Sequence, residues 1–228
     1  MYFPKGRFVA ERRREKYATT VNICSYNVRT IRTDDEMDYL MEEIEKIEWD
    51  IIGLCETYRK GEGLSSIKNG HCIYEIGKTE DHPNAKGVSL LINSKIKDCV
   101  SNPKIYSDRV ITLDLNLQGQ QAVTIIMTYA PTKAAPDEDI EAHYENIEQA
   151  YEDSKSKHKI IIGDFNAKIG IKNKDETFQS MGPYGIGKRN CRGERLIEFA
   201  EEHKLIIANT LFKKNPSRYW TWEKPGGK

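Results

Sequence analysis

The longest apolar runs of this chain, such as Ile51-Ile-Gly-Leu-Cys55 and Val88-Ser-Leu-Leu-Ile92, have the length of β-strands and carry almost no polar alternation. A run of that kind suits a strand covered on both faces, so the fold must supply a layer on either side of it. Helical spacing takes over between such runs. Met37, Leu40, Met41, Ile44 and Ile47 share one face of a segment that opens with Asp34 and Asp35, placed as an N-cap and a favourable first-turn charge. Ile140, Tyr144, Ile147 and Tyr151 share a face in the acidic stretch 137–157, and a third helix is expected over 192–203. Strands are expected at 21–28, 49–56, 71–77, 87–93, 109–115 and 122–129, in the run entering Asp164, and at 205–210 and 219–222. The strand-helix-strand unit over 21–56 implies a parallel pair with a covering helix. The mixed order that follows fits neither a pure doubly wound sheet nor a barrel, and no glycine-rich phosphate motif sits at a strand-to-helix turn. The expected class is α/β, two packed mixed β-sheets flanked by helices in a four-layer α-β-β-α sandwich.

A chain of 228 residues can bury a single core, and no Ser/Gly/Pro-rich linker divides it. We expect a basic, poorly ordered N-terminal arm over 1–20 and one domain over 21–228. The five cysteines form no Cys-x-x-Cys pair, and most sit in strand-like runs as small hydrophobes. A reducing nuclear or cytoplasmic setting is expected. The apolar runs are too short to span a bilayer and the N-terminus lacks a secretory signal, so no membrane association or secretion is expected. The net charge of zero announces no nucleic-acid partner, although both ends are basic and the middle is acidic.

Four apolar strands stop at polar residues that a packed core alone would not require: Asn27, Glu56, Tyr129 and the pair Asp164/Asn166. Strand alternation would point Asp164 and Asn166 the same way, with Phe165 turned to the other side. An acid and an amide together at a strand end suit work on a metal or a phosphate. Taken singly, each has a plainer explanation. Gly163-Asp164 can simply begin a turn, Glu56 can be a surface residue, Asn27 can cap a loop, and Tyr129 can be a core aromatic sharing a face with Val123, Ile125 and Met127. A carboxylate directly after Ile51-Ile-Gly-Leu-Cys55 would be costly to desolvate unless it met a cation or hydrogen-bond donors.

This ordered set resembles the endonuclease/exonuclease/phosphatase superfamily, and within it the exonuclease III-like endonuclease domain of non-LTR retrotransposons of the RTE clade. The likeness rests on Tyr26-Asn-Val-Arg-Thr30, Gly163-Asp-Phe-Asn-Ala-Lys-Ile-Gly170, Gly187-Lys-Arg-Asn with Arg192-Gly-Glu-Arg-Leu-Ile-Glu-Phe199, Asn209-Thr-Leu-Phe, and Trp220-Thr-Trp222. It implies a metal-dependent phosphodiesterase that nicks DNA. Glu56 would hold Mg2+ (or Mn2+) with Asn27 beside it. Asp164 would position or deprotonate the attacking water, and Asn166 and Tyr129 would donate to the phosphate oxygens. Trp222 would face the nucleic acid.

The family pattern continues with an Asp-bearing strand and a Ser-Asp-His triplet, neither of which occurs in these 228 residues. The resemblance therefore implies a domain missing its last strands and inactive by itself. Two other functions compete: a phosphatase or lipid phosphodiesterase of the same superfamily, and a non-catalytic binding module of retrotransposon origin within a host protein.

Overall fold

The structure is a computed structural model that describes residues 20–117 and 119–215. The proposed arm over 1–20 therefore lies almost wholly outside the described residues, as do the strand expected at 219–222 and Trp222.

Two sheets stack face to face. The first contains β1 (Ile23–Asn27), β2 (Ile51–Cys55), β3 (Glu62–Ser66), β4 (Cys72–Ile76) and β5 (Val88–Ile92), in the order β1-β2-β5-β4-β3. The second contains β6 (Val100–Ser107), β7 (Val110–Leu115), β8 (Val123–Tyr129) and β9 (His158–Asp164), in the order β6-β7-β8-β9. Among the strands of the described residues, β1 with β2 and β8 with β9 pair in parallel, and each of these pairs is joined through a helix. The first crossover carries α1 (Asp34–Ile44) and the second α2 (Asp137–Asp153), while α3 (Cys191–Glu202) follows β9.

Packing follows the apolar patterns. Ile51, Leu90 and Ile92 of the first sheet meet Ile111, Leu113, Ile125 and Met127 of the second in a fully buried middle layer. Met37, Met41 and Ile44 of α1 cover Ile52, Leu54 and Leu91 on the first sheet's outer face. Ile140, Tyr144 and Ile147 of α2, with Leu196 and Phe199 of α3, cover Val110 and Ile126 on the second. This is the four-layer α-β-β-α sandwich expected from unalternating strands. Gly53 in β2 leaves room for the facing sheet, since a Cβ there would lie 2.9 Å from the Ile162 side chain and closer still to Met127.

Several details differ from the sequence expectation. Thr33, not Asp34, is the N-cap of α1: Glu36 N–H donates to Thr33 Oγ1 at 3.2 Å and Thr33 N–H to Glu36 Oε2 at 3.1 Å. This reciprocal capping box leaves Asp34 and Asp35 as first-turn charges. Thr33→Ala should cost about 1 kcal/mol, read as a shift of the urea midpoint. The strands β3 and β6 have no sequence counterpart because β3 is largely exposed, β6 has no fully buried residue, and both carry little apolar pattern. The strand expected at 205–210 does not form. The segment makes one bridge, Met181 to Ile207, and then winds into a 3-10 turn over Ala208–Thr210, where Thr210 Oγ1 donates to Ile207 O at 2.7 Å. Its alternation lacks a paired neighbour among the described residues, and alternation without a partner strand does not make a ladder. β9 is likewise less buried than its Ile160-Ile-Ile162 run suggested, because it pairs on one side only among the described residues.

Candidate functional site

The topology brings the strand ends together. In each parallel pair the carboxyl termini lie at the same end, with Asn27 opposite Cys55 and Tyr129 opposite Asp164. The stacking then joins the pairs, for Cys55 Sγ donates to the Thr128 carbonyl at 3.7 Å across the layer. Glu56, one residue past β2, enters the same space. Binding sites of α/β sheets commonly lie off the carboxyl ends of parallel strands, where connections diverge.

Asn27 Nδ2 donates to Asp164 Oδ2 at 3.3 Å, linking residues 137 positions apart. Asn27 Oδ1 accepts the Arg29 N–H at 3.1 Å, which fixes the orientation of the amide. The Tyr129 hydroxyl donates to Glu56 Oε1 at 2.6 Å. Its ring belongs to the core, at 1% exposure, so the core explanation and the site explanation both hold for this residue. Burial, and then the Glu56 carboxylate, push the phenol well above its ordinary range, so it stays protonated and donating. Burial likewise raises the Cys55 thiol to about 12, which leaves it a neutral hydrophobe beneath the site.

Asn166 arrives by a different route from the one its spacing implied. β9 ends at Asp164, and Asn166 adopts a left-handed φ of 49°. Its N–H donates to Asp164 Oδ1 at 2.9 Å and its Nδ2 to the Ala130 carbonyl at 2.8 Å. The period-2 argument stops where the strand stops; an Asx turn places the residue instead. Phe165 packs against the α2 and α3 layer, as expected. Glu56 also has a left-handed φ, of 58°, a conformation that costs a non-glycine residue roughly 1–2 kcal/mol.

Sequence reasoning missed two cations here. The Lys86 ammonium lies 5.8 Å from the Tyr129 ring centroid and donates to its hydroxyl at 3.5 Å. The Arg109 guanidinium lies 5.4 Å from the same centroid and donates to the Tyr129 carbonyl at 3.3 Å. The signal available was a Lys and an Arg each placed just ahead of a buried strand, which becomes informative only once those strands are known to flank Tyr129.

The arginine-rich strings prove structural. Arg189 makes a bidentate pair with Glu176 at 2.6 and 2.9 Å and donates to the Ile169 carbonyl, holding the loop after β9. Arg192 pairs with Asp137 and Arg195 with Glu141, which ties α3 to α2. Asn190 caps α3 by accepting from Gly193 N–H at 2.8 Å. Among the described residues no histidine is hydrogen-bonded to Asn27, Glu56 or Asp164. His143, for one, is buried within α2 and bonded to Thr128 Oγ1 at 3.0 Å.

The donors available to a cation are hard oxygens: the free Glu56 oxygen, the Asp164 carboxylate and the Asn27 amide. Among the described residues there is no group of three or more His, Cys, Asp or Glu able to hold a metal. One or two carboxylates with open positions are what Mg2+ accepts, since it retains water and takes substrate phosphate as further ligands. The residues present fit such an ion. Also among the described residues, no helix is long and apolar enough to cross a membrane.

A sequence profile described as the Endonuclease/Exonuclease/phosphatase family matches residues 20–186. Craniofacial development protein 2 of Bos taurus is 34% identical over 209 residues, covering 90% of this chain and 34% of that protein. The protein of the same name from Tragulus javanicus is 34% identical over 209 residues, covering 90% of this chain and 35% of its own length. The chain thus spans about a third of the curated relatives it matches. The crystal structure of the AP endonuclease LMAP from Leishmania major superposes with a TM-score of 0.51 at 15% identity, over 79% of this chain and 65% of that one, a likeness of fold.

Proposed function

Because the chain belongs to the endonuclease/exonuclease/phosphatase family, we propose that its strand-end constellation is the metal- and phosphate-handling part of a Mg2+- or Mn2+-dependent phosphodiesterase of the DNA endonuclease type. The observation that carries this reading is the Asn27–Asp164 bond, which closes two parallel strand ends from different sheets onto one point beside Glu56. A packed core does not require that closure.

Glu56 is the anionic ligand for the cation, and Asn27 and Asp164 stand beside it. When bound, the cation supplies Lewis-acid stabilisation of charge on a phosphoryl oxygen. Tyr129, by donating its one proton to Glu56, fixes which carboxylate oxygen remains open. Asp164 has one oxygen bonded to the Asn27 amide and the other to the Asn166 N–H, which orients its carboxyl group for a place beside the attacking water. The remaining Asn166 amide hydrogen is available to a phosphate oxygen. With no histidine bonded to Asp164 among the described residues, we expect binding to outrun turnover.

The resemblance of Tyr26–Thr30 and Gly163–Gly170 to retrotransposon endonucleases supports nicking of duplex DNA as the activity within this reading. The similarity to a much longer protein carrying a developmental name favours a second reading, in which the domain binds nucleic acid within a host protein and cleaves little.

Mn2+ binding, followed by electron paramagnetic resonance, tests the site without requiring turnover. Glu56→Gln should weaken it about tenfold or more, as expected for loss of the main anionic ligand. Equal affinity in the unaltered and substituted chains would remove Glu56 as the ligand. In parallel, Mg2+-dependent nicking of supercoiled plasmid separates the readings: robust nicking lost in Glu56→Ala and Asp164→Ala favours the endonuclease over the binding module.

A further inference from the structure

Thr57 directly follows Glu56 and is fully buried, at 0% exposure, yet its Oγ1 has no hydrogen-bond partner among the described residues. Buried Thr128 and Thr210, by contrast, are satisfied: Thr128 Oγ1 bonds the His143 ring, and Thr210 Oγ1 donates to the Ile207 carbonyl. An orphaned buried hydroxyl is unfavourable, and a fold that keeps one needs a reason for it. Both neighbours are strained as well. Glu56 has a φ of 58° and Tyr58 a φ of 52°, left-handed values that residues other than glycine rarely adopt. Two strained residues and an unsatisfied hydroxyl thus occupy consecutive positions just past the end of β2.

The surroundings hold this turn in place. Thr57 N–H donates to the Gly87 carbonyl at 3.5 Å, Tyr58 N–H donates to the Lys86 carbonyl at 2.8 Å, and the Thr57 carbonyl accepts the Ile31 N–H at 3.0 Å. The side chain adds a steric wedge. Gly87, with a φ of 87°, leads into β5, and a Cβ there would lie 3.4 Å from Thr57 Cβ and much closer to its Oγ1. Thr57 therefore fills the space that glycine leaves, beside the register of Cys55 with Val88. Branching at Cβ restricts its χ1, and an oxygen is smaller than the methyl group that valine would place against the Gly87 backbone. A change of φ at Glu56 would carry Thr57 off Gly87. The Glu56 side chain is fixed at its other end, where the Tyr129 hydroxyl donates to Oε1 at 2.6 Å.

We propose that Thr57 is the positioning residue of Glu56: packed on Gly87, it holds the left-handed turn that presents the Glu56 carboxylate to a divalent cation. The inference rests on the reading of Glu56 as cation ligand and adds to it the residue that preorganises that ligand. Thr57 touches neither cation nor substrate; it acts through the backbone of Glu56. The orphaned hydroxyl follows from this role, since Oγ1 is seated by shape against Gly87 and not by a polar partner. A ligand held in advance loses less freedom on binding, so the strained turn raises cation affinity.

Amide hydrogen exchange in the metal-free chain and Mn2+ affinity by electron paramagnetic resonance, both measured well below the melting temperature, test this. Thr57→Ala should speed exchange of the Tyr58 and Ile31 amides about tenfold, leave the Leu90 amide of β5 unchanged, and weaken Mn2+ binding about fivefold. Thr57→Ser keeps an oxygen against Gly87 and should stay within about twofold of the unaltered chain in both measurements. Glu56→Gln, which removes the ligand and keeps the wedge, should weaken Mn2+ binding with the Tyr58 amide unchanged. A role in packing alone would lower the melting temperature of Thr57→Ala and leave Mn2+ affinity and local exchange as they were, and that result overturns the proposal. Equal losses in Thr57→Ser and Thr57→Ala overturn it too, because the hold would then lie in the methyl group. The two readings fail separately. If the unaltered chain binds no Mn2+, the cation site is defeated, and exchange alone decides whether Thr57 holds the turn. If Mn2+ binds equally well to the unaltered chain and to Thr57→Ala, the cation site stands and the positioning role is overturned.

Discussion

Gly163→Ala should cost at least about 3 kcal/mol of stability and lower the melting temperature by roughly 6–12 °C, given the usual scaling for chains of this length. Gly163 has a φ of 138°, which an L side chain rarely adopts, and a Cβ there would lie 2.8 Å from the Thr128 carbonyl carbon and closer still to its oxygen. The obstacle is backbone, and it is held. Thr128 belongs to β8, which is paired to β7 on one side and β9 on the other. Relief must therefore come from peeling the end of β9 away, which separates Asp164 from Tyr129 and carries it off Asn27. Mn2+ affinity should fall together with stability. Gly61→Ala is the comparison: its φ is 86° but nothing lies within 4 Å of the added carbon, so only the backbone preference is lost, about 1 kcal/mol. Urea unfolding followed by far-ultraviolet circular dichroism measures both. Equal costs for the two substitutions would show that β9 yields without strain.

How much of this was legible beforehand depended on the range of the interaction concerned. Ile51–Cys55 and Val88–Ile92 showed their burial on both faces in composition alone, and that was enough to require a layered sandwich. Glu56, Asn27, Tyr129 and Asp164 were visible as polar ends of apolar runs, because desolvation makes such residues conspicuous. Their convergence was not visible, since it depends on the stacking of two sheets and on the register of Tyr129 with Asp164. The position of Asn166 was misjudged because a local hydrogen bond ended the strand two residues early. Lys86 and Arg109 were invisible for a related reason. Each matters by its place against the Tyr129 ring, and that place exists only in three dimensions. The strings around Arg189 and Arg192, read beforehand only as family echoes, turn out to hold ion pairs within the protein.

The folded chain should lose stability as pH falls from about 6.5 to about 4, with His143 the main cause. The imidazole is buried at 3% exposure, with Nε2 bonded to Thr128 Oγ1 at 3.0 Å, the Tyr144 ring beside it and the Arg109 guanidinium near enough to oppose a second positive charge. Burial is the larger cause of its depressed pKa and Arg109 the smaller. In the unfolded chain the residue binds a proton near pH 6.5; in the folded chain it does not until about pH 4. Between those values the unfolded state holds more protons, so its stability rises relative to the folded state as pH drops, by up to roughly 3 kcal/mol, and the loss levels off below the folded value. Glu75 acts in the opposite sense, because burial raises its pKa and acid relieves the cost of its charge. His143→Gln separates the two. Glutamine reaches Thr128 with a neutral amide and does not titrate, so the substituted chain should keep the Glu75 contribution and lose the His143 slope. Melting temperatures between pH 7 and pH 4 should therefore converge for the two chains as acid is added. Parallel curves over that interval would mean that His143 takes up its proton as readily in the folded chain as in the unfolded one, and that its burial does not depress its pKa.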